Sequence, residues 1–80
     1  MFSTEVFGQR LREARKAAGQ KQEELGLALN LGKGQISGME RGTSSTTLEK
    51  LSLICQHYNI SADYLLGLTD EPKPYKRKKE

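Results

Sequence analysis

The chain has 80 residues, with 13 Lys and Arg against 10 Asp and Glu, a formal net charge of +3, and 35% hydrophobic residues. That is one small domain with a little chain to spare, and a core of this size has no room for a large cofactor or a deep substrate pocket. A single Cys excludes an internal disulfide framework, and no Cys and His cluster has metal-site spacing, so neither a metal nor another cofactor is expected.

The lone cysteine fits a reducing, cytoplasmic setting. The opening residues MFSTEVFGQR lack the apolar stretch of a signal peptide, and no apolar run approaches the roughly 20 residues that cross a bilayer, so no membrane partner is expected. The charge is unevenly placed. Residues 71–80, EPKPYKRKKE, hold five basic and two acidic side chains, which is the whole of the +3; residues 1–70 hold eight of each. Any affinity of the folded part for a polyanion must therefore come from where its charges sit.

Phe7, Leu11, Ala14 and Ala18 follow the spacing of one helical face, with Gln9, Arg10, Arg12, Glu13 and Lys16 on the other sides, which predicts a first helix over 4–18 ended by Gly19. A short second helix over 22–29 starts with Glu23 and Glu24, which complement its dipole, and stops at Asn30, a residue that tolerates a left-handed backbone. After Leu31 and Gly32, the stretch 33–41 carries two apolar anchors, Ile36 and Met39, before Gly42. Thr46 and Glu49 have capping-box spacing for a fourth helix over 47–58, whose apolar face comprises Leu48, Leu51, Ile54, Cys55 and Tyr58. Asn59 is its candidate cap, and Ser61 can cap a last helix over 62–66. No strand pattern occurs, and from Thr69 two prolines and a charge run predict a basic, disordered tail over 69–80 behind a domain of 1–68.

Two short helices joined by three or four residues, the second with a narrow apolar stripe and a polar outer face, describe a helix-turn-helix. Gly26 supplies the small residue needed where they cross, and Leu25, Leu29, Ile36 and Met39 anchor the pair to the core. The run QEELGLALNLGKGQISGMERG closely resembles the helix-turn-helix of the Cro and lambda-repressor-like (XRE) family. Within it, ISGMERG is similar to that family's I-S-x-x-E-x-G signature, and HYNISADYLLG is similar to its fifth-helix ending. The similarity runs from about Phe7 to Gly67 and implies an all-α, five-helix domain that binds double-stranded DNA in a sequence-specific way, as a transcriptional regulator of repressor type.

A helical wheel gives a test that is independent of the family. Ile36 and Met39 define the buried side of 33–41; Gly34, Ser37, Gly38 and Arg41 lie opposite, with Lys33 at the edge. Small, polar and basic residues on an exposed helix suit entry into a major groove about 12 Å wide. Gly34 and Gly38 each cost about 1 kcal/mol relative to Ala in a helix, and two readings stay open: a backbone brought close to bases or sugars, or sites that simply tolerate Gly. Direct readout then falls on Lys33, a donor to guanine O6 and N7, on Ser37, and on Gln35 as a further candidate. Gln22 begins the second helix, where free N–H groups and the dipole favour an anion, and the family's matching Gln touches a phosphate. Lys21 stands where the family places a Ser, Thr or Asn cap, which costs about 1 kcal/mol and adds a cation beside the phosphate path. Arg41, Thr43 and Ser44 are candidate grips on the strand beyond the third helix.

Glu40 turns away from the groove toward the first helix, and by the family match its partner is Arg15. The resemblance also implies a homodimer on a pseudo-palindromic operator with half-sites one helical turn apart, and Tyr64, Leu65 and Leu66 as dimer-surface candidates, against a second reading with Leu65 in the core. His57 has no second ligand candidate at helical spacing, Cys55 and Ser44 have no catalytic partner, and LGKGQ does not match a phosphate-cradling loop, so an enzyme is not expected. The alternative function is an antitoxin-type protein-interaction module that uses the same fold to bind a partner protein.

Overall fold

The structure, a computed structural model, describes residues 1–74. Five helices follow one another with no strand among the described residues: α1 (Thr4–Ala17), α2 (Gln22–Leu29), α3 (Lys33–Glu40), α4 (Leu48–Tyr58) and α5 (Ala62–Leu65). Each end has a local chemical cause. Ser3 Oγ accepts from Val6 N–H at 3.1 Å to open α1, Thr47 Oγ1 from Lys50 N–H at 3.1 Å to open α4, and Ser61 Oγ from Tyr64 N–H at 3.0 Å to open α5. Asn30 and Asn59 close α2 and α4 in the left-handed region, at φ 56° and 53°.

The differences from the sequence reading lie at the edges. Thr47, not Thr46, caps α4, which puts Leu48 at the first helical position; there it precedes the turns that reach the core and is 84% exposed rather than part of the apolar face. Helix α1 stops at Ala17 and leaves Ala18 exposed, α3 stops at Glu40 with Arg41 as its cap, and α5 stops at Leu65.

Every helix contributes to one core: Phe7 and Leu11 from α1, Leu25 and Leu29 from α2, Ile36 and Met39 from α3, Ile54 from α4 and Leu65 from α5. Two glycines let backbones meet around α3. A Cβ on Gly26 would lie 2.5 Å from the Leu31 carbonyl oxygen, in the connection between α2 and α3. A Cβ on Gly8 would lie 2.3 Å from the carbonyl oxygen of Met39 and 2.8 Å from that of Glu40, so the C-terminal end of α3 rests directly on the backbone of α1.

The chain does not leave the domain at 68, where the sequence reading ends it. Arg10, expected on an outer side of α1, stacks 4.3 Å from the Tyr64 ring centre, donates to the Thr69 carbonyl at 2.7 Å, and pairs with Asp70 at 3.0 Å. Ser61 N–H donates to the Pro72 carbonyl at 2.9 Å. These bonds strap residues 69–72 to α1 and to the start of α5. The basic run expected to form a loose tail lies mostly in residues 75–80, outside the described residues.

Candidate nucleic-acid interface

A buried ion pair between α1 and the inner side of α3 lies behind the outer face of α3 and the first turn of α2. Arg15 Nε donates to Glu40 Oε2 at 2.6 Å and Nη2 to Oε1 at 3.0 Å, with the two side chains 11% and 3% exposed. The third donor of the guanidinium, Nη1, goes to the Gln20 carbonyl at 2.8 Å, so the fork is shared between α3 and the turn that leads into α2. The hydrogen bond to Glu40, partly offset by burial, raises the pKa of Arg15 and keeps its charge fixed. Glu40 Oε1 also accepts from Gln22 Nε2 at 3.1 Å.

At the start of α2, Lys21 has no capping oxygen of its own. The Glu24 carboxylate supplies only the reciprocal half of a capping box, accepting from Lys21 N–H at 2.8 Å. The side chain of Lys21 is exposed and Gln22 is half-buried. Gln35 performs the same service for α3, its Oε1 accepting from Gly32 N–H at 2.9 Å. Its carbonyl oxygen is thereby committed to the helix start, and the residue lies beside Leu31 and Met39 in a groove with Ser44.

Lys33 is exposed and reaches Glu23 Oε1 only at 3.9 Å, with both side chains more than half exposed. A pair this open contributes about 0–1 kcal/mol and releases its cation easily. Gly34 faces open space: an added Cβ would meet nothing within 4 Å. Ser37 is half-buried, and its Oγ accepts from Arg41 Nη1, which folds the arginine back along the helix.

Gly38 departs from the wheel. It is buried, because residues 43 and 44 fold over it; a Cβ there would sit 3.2 Å from Ser44 Oγ and 3.4 Å from Thr43 Oγ1. Its carbonyl accepts both the N–H and the hydroxyl of Thr43, each at 3.0 Å. The small residue therefore admits the loop rather than an outside surface. Gly42 makes this return possible, at φ +79° and with room for no Cβ beside Glu5 Cα.

Leu65 is likewise corrected as a dimer-surface candidate. It is 0% exposed in the core and cannot line a surface, whereas Tyr64 and Leu66 are half-buried. Leu66 borders a shallow apolar pocket with Phe2, Phe7, Thr46, Leu48 and Leu51.

Gln20 is the residue that sequence reasoning missed. Its Oε1 accepts from Tyr58 Oη at 2.7 Å and lies 3.1 Å from His57 Nε2, connecting α4 to the Arg15 turn. Burial, with help from Glu40 and Glu24 and against Arg15, pushes the Tyr58 phenol up to about 12. Burial also raises the Cys55 thiol, partly offset by a backbone hydrogen bond, which favours its protonated form. No group of three His, Cys, Asp or Glu among the described residues could hold a metal ion, and no helix among them is long and apolar enough to cross a membrane.

The chain is 38% identical over 69 residues to the HTH-type transcriptional regulator YobD of Bacillus subtilis, covering 86% of this chain and 62% of YobD, so it spans less than two thirds of that relative. Among solved structures it is similar to the P22 c2 repressor in complex with synthetic operator 9T, with TM-score 0.73 and 31% identity over 76% of this chain and 92% of the repressor chain. It is also similar to the restriction-modification controller protein C.AhdI of Aeromonas hydrophila, with TM-score 0.70 and 34% identity over 78% of this chain and 94% of that one. The helix-turn-helix family model matches residues 11–65, which takes in α2, α3 and both members of the buried ion pair. By sequence and by fold, the chain belongs to the helix-turn-helix family.

Proposed function

We propose that this domain binds double-stranded DNA in a sequence-specific way with α3 in the major groove, and that it acts as a transcriptional regulator, of repressor type, rather than as an enzyme. The observation that carries this reading is the outer face of α3. Lys33, Gly34, Ser37 and Arg41 stand clear of the core, while the one carboxylate near its end, Glu40, is turned inward and neutralised by Arg15. A helix so arranged meets a polyanion with cations and hydroxyls only.

Lys33 is the side chain with the reach and freedom to donate to a guanine edge, and Ser37 is the second base contact. Lys21, Gln22, Arg41, Thr43 and Ser44 border the helix on both sides and suit phosphate contacts. Gln35, occupied as a cap, has only its amino group left to offer. Support comes also from the likeness to a repressor solved with its operator. The cytoplasm is the location that goes with this partner.

One α3 covers a few base pairs, so a homodimer on a pseudo-palindromic operator is part of the proposal. Its surface is assigned to Tyr64 and Leu66, the latter bordering an apolar pocket together with exposed Leu48 and Phe2. An antitoxin-type module would use that same apolar surface for a different protein. Selection of bound duplexes from a random pool tests the whole reading: a recovered motif with two inverted half-sites about 10 base pairs apart is expected. Recovery of no motif would refute DNA recognition, and a single half-site bound by a monomer would refute the dimer.

A further inference from the structure

We infer that Glu40 is a positioning residue for DNA contact: it acts through Gln22, holding the side-chain amide so that its nitrogen donates to a backbone phosphate. The inference rests on the proposed DNA-binding function and assigns Glu40 a role besides its ion pair with Arg15. Three observations carry it. Gln22 is the first residue of α2, where the backbone N–H groups have no intrahelical acceptor and an anion is favoured. Its Nε2 lies 3.1 Å from Glu40 Oε1, and the Glu40 side chain is 3% exposed. The same carboxylate is clamped at 2.6 and 3.0 Å by Arg15, so it cannot swing away.

The chemistry decides the rest. An ionised carboxylate accepts and cannot donate, so of the two ends of the Gln22 amide only the nitrogen can face it. A planar amide with one N–H fixed has its second N–H fixed as well. A phosphate also only accepts, and would be repelled by the carbonyl end of a flipped amide. The buried carboxylate thus selects, before DNA arrives, the one amide orientation that offers a donor, and Arg15 cancels the negative charge that would otherwise stand near the phosphate. Sequence spacing cannot show this arrangement, because residues 15, 22 and 40 come from three different helices.

The test uses the full chain and the duplex recovered by selection, with each phosphate replaced in turn by an uncharged methylphosphonate. Wild-type protein is expected to lose about five- to tenfold in affinity at one phosphate per half-site, the scale of one such hydrogen bond. Gln22→Met, which can bond neither Glu40 nor phosphate, is expected to be insensitive at that position alone. Glu40→Gln, which can present its own nitrogen and so release or flip Gln22, is expected to lose the same response and keep the others. A folded Glu40→Gln that responds there as wild type does overturns the positioning role.

A second measurement needs no variant: ¹⁵N relaxation of the Gln22 side-chain amide in the free protein. An amide as rigid as the neighbouring backbone supports the inference, and a freely reorienting one overturns it. Failure to recover any bound duplex is a separate result, which removes the DNA-binding reading and the role that depends on it.

Discussion

Adding one methyl group at Gly8 and at Gly34 is expected to move stability in opposite directions, although both are glycines inside helices. In each case alanine gains up to about 1 kcal/mol of helix propensity. At Gly34 the new Cβ meets nothing within 4 Å, so that gain is kept. For a domain of this size it corresponds to a rise in Tm of about 4–8 °C. At Gly8 the Cβ would be placed 2.3 Å from the Met39 carbonyl oxygen and 2.8 Å from that of Glu40, where ordinary contact begins near 3.4 Å. Both neighbours are backbone, so relief requires α1 and the end of α3 to part by about 1 Å, at an overpacking cost in the upper part of the usual range, about 2–3 kcal/mol. The net loss is about 1–2 kcal/mol, a fall in Tm of about 4–15 °C. Thermal melts of the three proteins by circular dichroism at one pH and concentration read this directly. A Gly8→Ala protein as stable as wild type would refute the close-approach argument. The Gly34→Ala protein also separates the two readings of that glycine, because lower affinity at raised stability means that its backbone abuts the DNA, while unchanged affinity means that glycine is merely tolerated.

Tyr58→Phe is expected to flatten the alkaline limb of the stability curve. The phenol titrates near 10 in the unfolded chain and about 12 in the folded one, so its neutral form contributes fully below pH 10 and that contribution is lost as pH rises toward 12. Parallel melting curves for wild type and variant over this range would contradict it. Arg10→Ala is expected to release residues 69–72, seen as faster hydrogen exchange at Ser61 N–H, which donates to Pro72, while core amides such as Leu25 keep their protection. Unchanged exchange at Ser61 would mean that the strap holds without Arg10. Thr47→Ala should cost about 1 kcal/mol as a lost cap and Thr46→Ala less; equal losses in denaturant melts would count against Thr47 as the cap.

What the sequence reveals here is mostly what lies within one turn of helix. Periodicity and caps place all five helices, and the two asparagines mark left-handed ends because few other residues tolerate that backbone. The pairing of Arg15 with Glu40 comes from family resemblance, since 25 residues separate them and no periodicity connects them. Adjacent threonines defeat the assignment of the α4 start: Thr46 has the better spacing to Glu49, but Thr47 has the geometry, and Leu48 moves from core to surface with it. A wheel sees only its own helix, so it puts Gly38 outside and cannot know that Thr43 and Ser44 fold back over it. Gly8, Gln20 and Arg10 are silent in sequence for the same reason. Their partners are a distant backbone, side chains from α4, and groups in and just beyond α5.

Helix α3 is located chiefly by contacts behind it: main chain against Gly8, a connection closed over Gly26, and a carboxylate held from within. Its outer residues Lys33 and Gly34 take no part in that seating. Substitutions at these positions should therefore be close to additive with core changes in stability, and the proposed recognition surface can change without a compensating change in the scaffold. The arrangement separates the evolution of what is read from the maintenance of what is folded.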